Sequence, residues 1–182
     1  MEIRPARLTD QASISRLILT IIDQMALTEL QTMDVTEKLA VLSKGYNLQK
    51  LLAYTNVIVA EIDGIVAGMS YSYAADVEMQ TRTDILAGTN GIDLHPNQEA
   101  WPNEWYLEML SVDENYRGHG IGQALMMATT TLAHAEGFTK ISLNVDNENP
   151  RAEKLYLKQA FVTEKQIMIG DHKYKHMVKT LN

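Results

Sequence analysis

A glycine-rich segment near the middle of the chain could bind an anion. It reads Arg117-Gly118-His119-Gly120-Ile121-Gly122-Gln123 and follows an apolar stretch, Trp105–Val112, that is typical of a strand. The first N–H groups of a helix have no intrahelical partner and carry partial positive charge, so a glycine turn that opens a helix can hold phosphate oxygens. The pattern therefore predicts a pyrophosphate site on the backbone of residues 118–123.

Three kinds of phosphate-binding loop must be distinguished. A P-loop ends in Gly-Lys-Ser/Thr, whereas this loop ends in Gly122-Gln123. A dinucleotide fingerprint needs Gly-x-Gly-x-x-Gly early in a βαβ unit, and here the glycine spacing differs and a hairpin precedes the strand. The third pattern, Arg/Gln-x-x-Gly-x-Gly/Ala, is met by Arg117, Gly120 and Gly122. A loop that only caps a helix, and a nucleotide-binding oxidoreductase, stay open as alternatives.

The first half of the chain carries clear helix and turn signals. One buried stripe at helical spacing predicts a first helix after Thr9-Asp10, with the apolar residues Ile14, Leu17, Ile18, Ile21, Ile22 and Met25. Asp34 and Glu37 have capping-box spacing, which predicts a second helical region. Asp63-Gly64 predicts a hairpin turn between two β-branched stretches.

The second half of the chain alternates between helix and strand signals. A helix is expected after the glycine loop, closed by Gly137, and a strand over Lys140–Val145. Asn149-Pro150 predicts the start of a short helix, and Gly170-Asp171 the turn of a last hairpin. The expected fold class is α/β, a three-layer arrangement in which helices cover a mixed sheet.

Composition narrows the function classes. The chain has 182 residues and a formal charge of −7, so a nucleic-acid scaffold is not expected. It contains no cysteine, which excludes disulfides, thiolate metal sites and cysteine nucleophiles. No apolar run approaches the roughly 20 residues that span a bilayer, and no signal region is evident. We therefore expect a cytoplasmic protein with no membrane and no nucleic-acid partner.

These features together resemble the GNAT superfamily of acyl-CoA-dependent N-acetyltransferases. The resemblance rests on the hairpin, the strand ending in Leu110-Ser111-Val112, the glycine loop and the motif Asn149-Pro150-Arg151-Ala152-Glu153-Lys154-Leu155-Tyr156 followed by Phe161. It implies one N-acetyltransferase domain over residues 1–182. It also implies a mostly antiparallel sheet of about seven strands, splayed in the middle and flanked by about four helices.

The resemblance also implies a cofactor site for acetyl-CoA and no metal. Its pyrophosphate would lie on the loop residues Arg117, Gly118, His119, Gly120, Ile121, Gly122 and Gln123, and its pantetheine arm along Leu110, Ser111 and Val112, beside Asn149 and Ala152. The N–H near Leu110 would polarise the acyl carbonyl. Tyr156 would stabilise or protonate the leaving thiolate, unless it is only a core tyrosine.

The residue that takes the proton from the amine acceptor is the part of the site that the sequence determines least. Glu108, two residues before Leu110, is the candidate, and a charge on a solvated strand face is the equal alternative. Some relatives place a glutamate on the next strand, where this chain has Asn144, which cannot take a proton. The family usually has glycine where this chain has Ala160, before Phe161.

The acceptor is expected to be an amine. Residues 76–103, interpreted as an inserted loop, carry five acids and one arginine. If this loop folds over the acceptor site as a lid, its net charge of −4 would favour a polyamine, an amino sugar or a basic amino acid. Neutralising Asp76, Glu78 and Asp84 together would then raise KM for such an acceptor. A peptide amine is another possible acceptor. The alternative to a lid is an acidic solvated loop, and the alternative to an enzyme is a domain that only senses acyl-CoA. The family also allows a homodimer. His172 and His176 are expected on a solvated strand face.

Overall fold

The computed structural model describes residues 1–25, 27–94, 97–170 and 172–181. Seven strands form one sheet in the order β1-β2-β3-β4-β5-β7-β6. Their bounds are β1 Glu2–Pro5, β2 Asn56–Ile62, β3 Ile65–Ala74, β4 Trp105–Val112, β5 Lys140–Asp146, β6 Val162–Ile169 and β7 His172–Thr180. Every pairing is antiparallel except that of β4 with β5. The expected mixed, mostly antiparallel seven-stranded sheet is confirmed.

Helices cover both faces of the sheet. Their bounds are α1 Gln11–Ile22, α2 Val35–Gly45, α3 Leu48–Leu51, α4 Glu78–Gly88, α5 Ile121–Ala135 and α6 Pro150–Lys158. On β3, Ser70 faces α5, where its hydroxyl lies 2.8 Å from that of Thr129. Met69 and Tyr71, which alternate with Ser70, face the opposite layer and share a core with residues of α1 and α2.

The predicted helix and turn signals act where expected. Asp34 and Glu37 form a reciprocal capping box at the start of α2, and the Asn149 side chain accepts from the Ala152 N–H at the start of α6. The β2–β3 turn holds Asp63 and Gly64 at positive φ. Asp171, part of the predicted last turn, lies outside the described residues.

The interpretation of residues 76–103 as a loop is wrong for its first part, which forms α4. The structure therefore has five helices of nine or more residues in its described ranges, against about four expected. The helix has no continuous apolar stripe, because it buries Glu78 and Thr81 beside Ile85. It packs closely on α2: a Cβ added at Gly88 would overlap the Lys44 carbonyl.

None of the helices in the described ranges is both long and apolar enough to cross a membrane.

Candidate active site

The sheet opens between β4 and β5. These strands pair only at Trp105↔Ile141 and Tyr106↔Ser142, whereas β4 continues to pair with β3 as far as Val112. Strand β5 in turn stays paired with β7 along its whole length. The second half of β4 therefore has one edge facing a gap rather than another strand.

The backbone of Leu110 and Val112 faces this gap. Just beyond β4, the N–H of Asp113 donates to the Ala67 carbonyl on the β3 side, at 2.9 Å. Because successive backbone groups of a strand point to opposite sides, Val112 and Leu110 direct theirs away from β3. Ser111 differs, since its backbone groups face β3. Its side-chain hydroxyl donates to the Leu17 carbonyl in α1 at 2.9 Å.

The glycine loop brings the start of α5 to the end of β4. Gly118 and Gly120 have φ of +85° and +76°, a region that L side chains rarely adopt, and no atom lies within 4 Å of a Cβ added at either. Gly120 is the N-cap residue and provides no side-chain cap. The N–H groups of Ile121, Gly122 and Gln123 therefore have no partner within the helix.

The two basic residues of the loop turn toward its own backbone. The Arg117 Nε donates to the Val112 carbonyl at 3.4 Å. The His119 Nδ1 lies 3.0 Å from the Arg117 carbonyl and 3.2 Å from that of Tyr116. Since carbonyls only accept, this nitrogen carries the hydrogen, and the exposed ring stabilises the loop conformation.

Helix α6 packs against the same end of β4. A Cβ added at Gly122 would lie 3.3 Å from Leu155 and 3.8 Å from Val112, so this glycine allows close packing of the three segments. Asn149 and Ala152 are tied together by the helix cap, which uses the Ala152 N–H. The structure thus brings the predicted strand end, loop and α6 motif together.

Tyr156 belongs to the core of the second half of the sheet. It is 8% exposed and packs with Leu143 and Phe161; its ring centroid lies 6.1 Å from that of Phe161. Burial raises the pKa of Tyr156 to about 12. The phenol therefore keeps its proton throughout the neutral range.

Glu108 occupies a β-bulge in β4. Tyr71 pairs with Met109 and Ser72 with Leu107, so Glu108 is the extra residue between them. A bulge redirects its side chain relative to regular alternation. The half-buried carboxylate accepts a hydrogen bond from the Tyr46 hydroxyl, Oη to Oε1, at 3.3 Å.

A row of four buried tyrosines, which sequence reasoning missed, surrounds this carboxylate. We call Tyr46, Tyr71, Tyr73 and Tyr106 the tyrosine row. Their neighbouring centroids are 5.9, 5.6 and 5.8 Å apart, each pair edge-to-face. One signal was available: the chain has eight tyrosines against two phenylalanines, and Tyr71 and Tyr73 share one face of a predicted strand.

Residues 97–104, here called the covering segment, connect this region to β5 and β7. The Asn97 side chain accepts from the Gly170 N–H at 3.0 Å. The Glu99 carbonyl accepts from the Asn144 side chain at 3.3 Å. Trp101 stacks on His176, with centroids 3.9 Å apart. The segment therefore fastens the two halves of the open sheet to each other.

The expectation of a solvated His176 is wrong, because the covering segment buries it completely. Since the Glu99 carbonyl only accepts, the Asn144 nitrogen must face it and the Asn144 oxygen must face His176 Nδ1, at 2.8 Å. The other ring nitrogen lies 3.2 Å from a Glu104 carboxylate oxygen. His172, two residues before Tyr174, remains exposed as expected.

Two of the three acids expected on a lid hold the fold instead. Glu78 is 2% exposed and accepts from the N–H groups of Glu99 and Ala100, at 2.6 and 3.2 Å. Asp84 accepts from the Tyr54 hydroxyl at 2.7 Å. Only Asp76 is exposed. The carboxylates beside the tyrosine row are those of Glu108 and Glu99.

The fold is a mixed seven-stranded sheet that opens between β4 and β5, with helices on both faces, and comparison with known proteins identifies its family. Residues 27–161 match the Acetyltransferase (GNAT) family model. An N-acetyltransferase from Staphylococcus aureus Mu50 is 27% identical, with a TM-score of 0.86, over 98% of this chain and 100% of its own. The chain belongs to the GNAT acetyltransferase family.

Two further solved structures are similar. An acetyltransferase is 32% identical, with a TM-score of 0.84, over the full length of both chains. A Salmonella typhimurium protein, solved with acetyl-CoA, shares the fold at 18% identity, with a TM-score of 0.65, over 100% of this chain and 94% of its own. A search of curated protein sequences gave no match.

Proposed function

We propose that this protein transfers an acetyl group from acetyl-CoA to a primary amine by direct attack. The observation that carries the proposal is the open gap between β4 and β5, which ends at the free N–H groups of the glycine loop. A strand edge and a helix N-terminus at one place suit a ligand with an amide-containing arm and a pyrophosphate.

Each end of the cofactor has a matching group. The N–H groups of residues 118–123 would hold the pyrophosphate, with Arg117 opening the loop. Leu110 and Val112 would pair with the pantetheine arm, and the Leu110 N–H would polarise the acetyl carbonyl. The Asn149 oxygen is used by the helix cap, so its amide N–H groups would be the ones to bind the pantetheine arm.

Glu108 acts as the base on the acceptor, directly or through a water molecule. An alkylamine has a pKa of about 10.4, so supplying its free form at pH 7 costs about 4.6 kcal/mol. A carboxylate held at a bulge beside the gap gives the leaving proton a route out. The hydrogen bond from the Tyr46 hydroxyl holds one carboxylate oxygen of Glu108 and so orients the carboxylate.

Tyr156 stabilises the leaving thiolate by donating a hydrogen bond. Its pKa is raised to about 12 by burial, above that of a thiol, about 8.5. Complete proton transfer to the thiolate would be unfavourable by about 5 kcal/mol. The structure therefore favours hydrogen bonding over protonation as the contribution of this residue.

Thiol release from acetyl-CoA against pooled amines tests the proposal. The pools are polyamines, amino sugars, amino acids and peptides with a free N-terminus. The chain has no cysteine, so a thiol reagent gives no background from the protein. Release with one pool and not with the others is the expected result. Acetyl-CoA binding without release from any pool would instead support an acyl-CoA sensor.

A further inference from the structure

Glu99 is held in place more firmly than a loop residue usually is. Its N–H donates to the buried Glu78 carboxylate at 2.6 Å, and its carbonyl accepts from the Asn144 side chain at 3.3 Å. Its carboxylate accepts from the Tyr106 hydroxyl at 2.6 Å. Backbone and side chain are thus both held by groups from α4, β4 and β5. These contacts orient the carboxylate, and the residue stays half-buried.

Glu99 and Glu108 act on the same region. Burial raises the pKa of Tyr106 well above its usual range, and the charges of Glu99 and Glu108 raise it further. Burial and the same two charges also raise the pKa of Tyr46. Burial and the Glu108 charge also raise the pKa of Tyr71 and Tyr73. Both carboxylates therefore lie beside the tyrosine row, with Glu99 bonded to its Tyr106 end.

The middle of this row contains two polar groups that point to a ligand. The hydroxyls of Tyr71 and Tyr73 are buried and make no hydrogen bond of good geometry with any described residue. The Tyr73 hydroxyl lies beside the Glu108 carboxylate. That of Tyr71 lies beside Thr55 and Thr81. The two side chains are 2% and 0% exposed. A buried hydroxyl without a well-formed hydrogen bond is destabilising, so their oxygens are suited to accept hydrogen bonds from a bound ammonium group.

We propose that Glu99 is a specificity-determining residue for an acceptor that carries two cationic groups. One amine would lie at Glu108, where it is acetylated, and the second cation at Glu99. The tyrosine hydroxyls and ring faces would line the path between them, since aromatic faces attract cations. This inference rests on the proposed function, because it assigns the second half of the same acceptor site.

The test compares linear diamines with monoamines of equal chain length. In the Glu99→Gln variant the amide oxygen can still accept from Tyr106, so the local structure is retained while the charge is lost. We expect kcat/KM for the diamine to fall about tenfold to a hundredfold, through KM, and that for the monoamine to change less than about twofold. Glu164→Gln, on the exposed edge strand β6, is the charge-matched control.

Calorimetric titration of both amines into the protein saturated with CoA separates this inference from the proposed function. Loss of diamine binding in Glu99→Gln, with monoamine binding unchanged, supports it even if no acetyl transfer occurs. Equal weakening of both amines, or no weakening of the diamine, would overturn it. A wild-type protein that binds monoamines as tightly as diamines would also overturn it.

Discussion

The glycine loop and the covering segment build the two sides of the site in opposite ways. The loop offers backbone N–H groups that have no partner, and no protein atom lies above its two left-handed glycines. The covering segment has its polar groups bound to residues far away in the chain, among them Asn144, Gly170 and His176. One region is open to a ligand and locally encoded; the other is held by tertiary contacts.

This difference suggests that one region binds the cofactor and the other recognises the acceptor. A pyrophosphate is the same in every reaction of the family, so a site made of backbone groups and glycines is sufficient for it. An acceptor is recognised by its particular charges and shape, which requires side chains from several elements. Changes in the loop should therefore affect acetyl-CoA binding, and changes in the covering segment should affect the acceptor.

The largest expected effect is at the loop. In Gly120→Glu a carboxylate enters the space assigned to the pyrophosphate, and we expect acetyl-CoA affinity to fall by about a hundredfold or more. Isothermal titration calorimetry measures this affinity. Gly137→Glu is the matched control, because Gly137 also has positive φ and open space but lies at the far end of α5. Unchanged affinity in Gly120→Glu would refute the assignment of the pyrophosphate to the glycine loop.

The next effect separates chemistry from binding. Tyr156→Phe removes only a hydroxyl, so we expect kcat to fall about tenfold to a hundredfold with unchanged acetyl-CoA affinity. Steady-state kinetics with the best amine measures this. Because the pKa of Tyr156 is raised to about 12, the wild-type rate should show no alkaline loss from this group below about pH 11. Full turnover of the variant would exclude the assigned role.

Changes in the covering segment should alter the kinetics with the amine acceptor and leave acetyl-CoA binding unchanged. Trp101→Ala removes the ring stacked on His176, and we expect kcat/KM for the amine to fall about tenfold, with acetyl-CoA affinity unchanged. Trp101→Phe keeps an aromatic face and should retain most of the activity. Loss of acetyl-CoA binding in Trp101→Ala would contradict the division between the two regions.

Acid should weaken the covering segment. Burial of the Glu104 carboxyl opposes its ionisation, but the hydrogen bond from His176 and the charge of Lys140 help to outweigh burial and lower its pKa below 4.5. Its contribution to stability is therefore present above pH 4.5 and is lost as the pH falls through the lowered pKa. The wild type should exceed Glu104→Gln in unfolding free energy by about 1–2 kcal/mol at neutral pH.

Denaturant unfolding of both proteins over this pH range measures the difference. We expect the two curves to converge below pH 4.5. A difference that persists unchanged in acid would mean that Glu104 contributes through packing rather than charge.

The smallest effect lies outside both regions. Ala160 has φ of +66°, which confirms that the turn before Phe161 needs the conformation for which the family usually has glycine. Ala160→Gly should relieve this strain and stabilise the fold by about 0.5–1 kcal/mol, or about 2 °C in Tm. Acetyl-CoA affinity and amine KM should stay unchanged. A lower Tm would show that the turn is not strained.

Much of the architecture was predictable because its signals are local. The capping box at Asp34, the Asp63-Gly64 turn and the N-cap at Asn149 each act through neighbours a few residues away. The α4 helix was not predictable in this way. Its position depends on packing against α2 at Gly45 and Gly88, which are 43 positions apart in the chain, and its buried Glu78 is satisfied by the distant Glu99 and Ala100.

The sequence by itself determined the loop, the strand before it and the α6 motif, because their backbone conformation is set by adjacent residues. The tertiary structure alone decided which carboxylates lie beside the tyrosines, that the tyrosines form one row and that His176 is buried. Side chains converge only after the chain folds, and neither a strand's periodicity nor its charges indicate which distant segment will cover it.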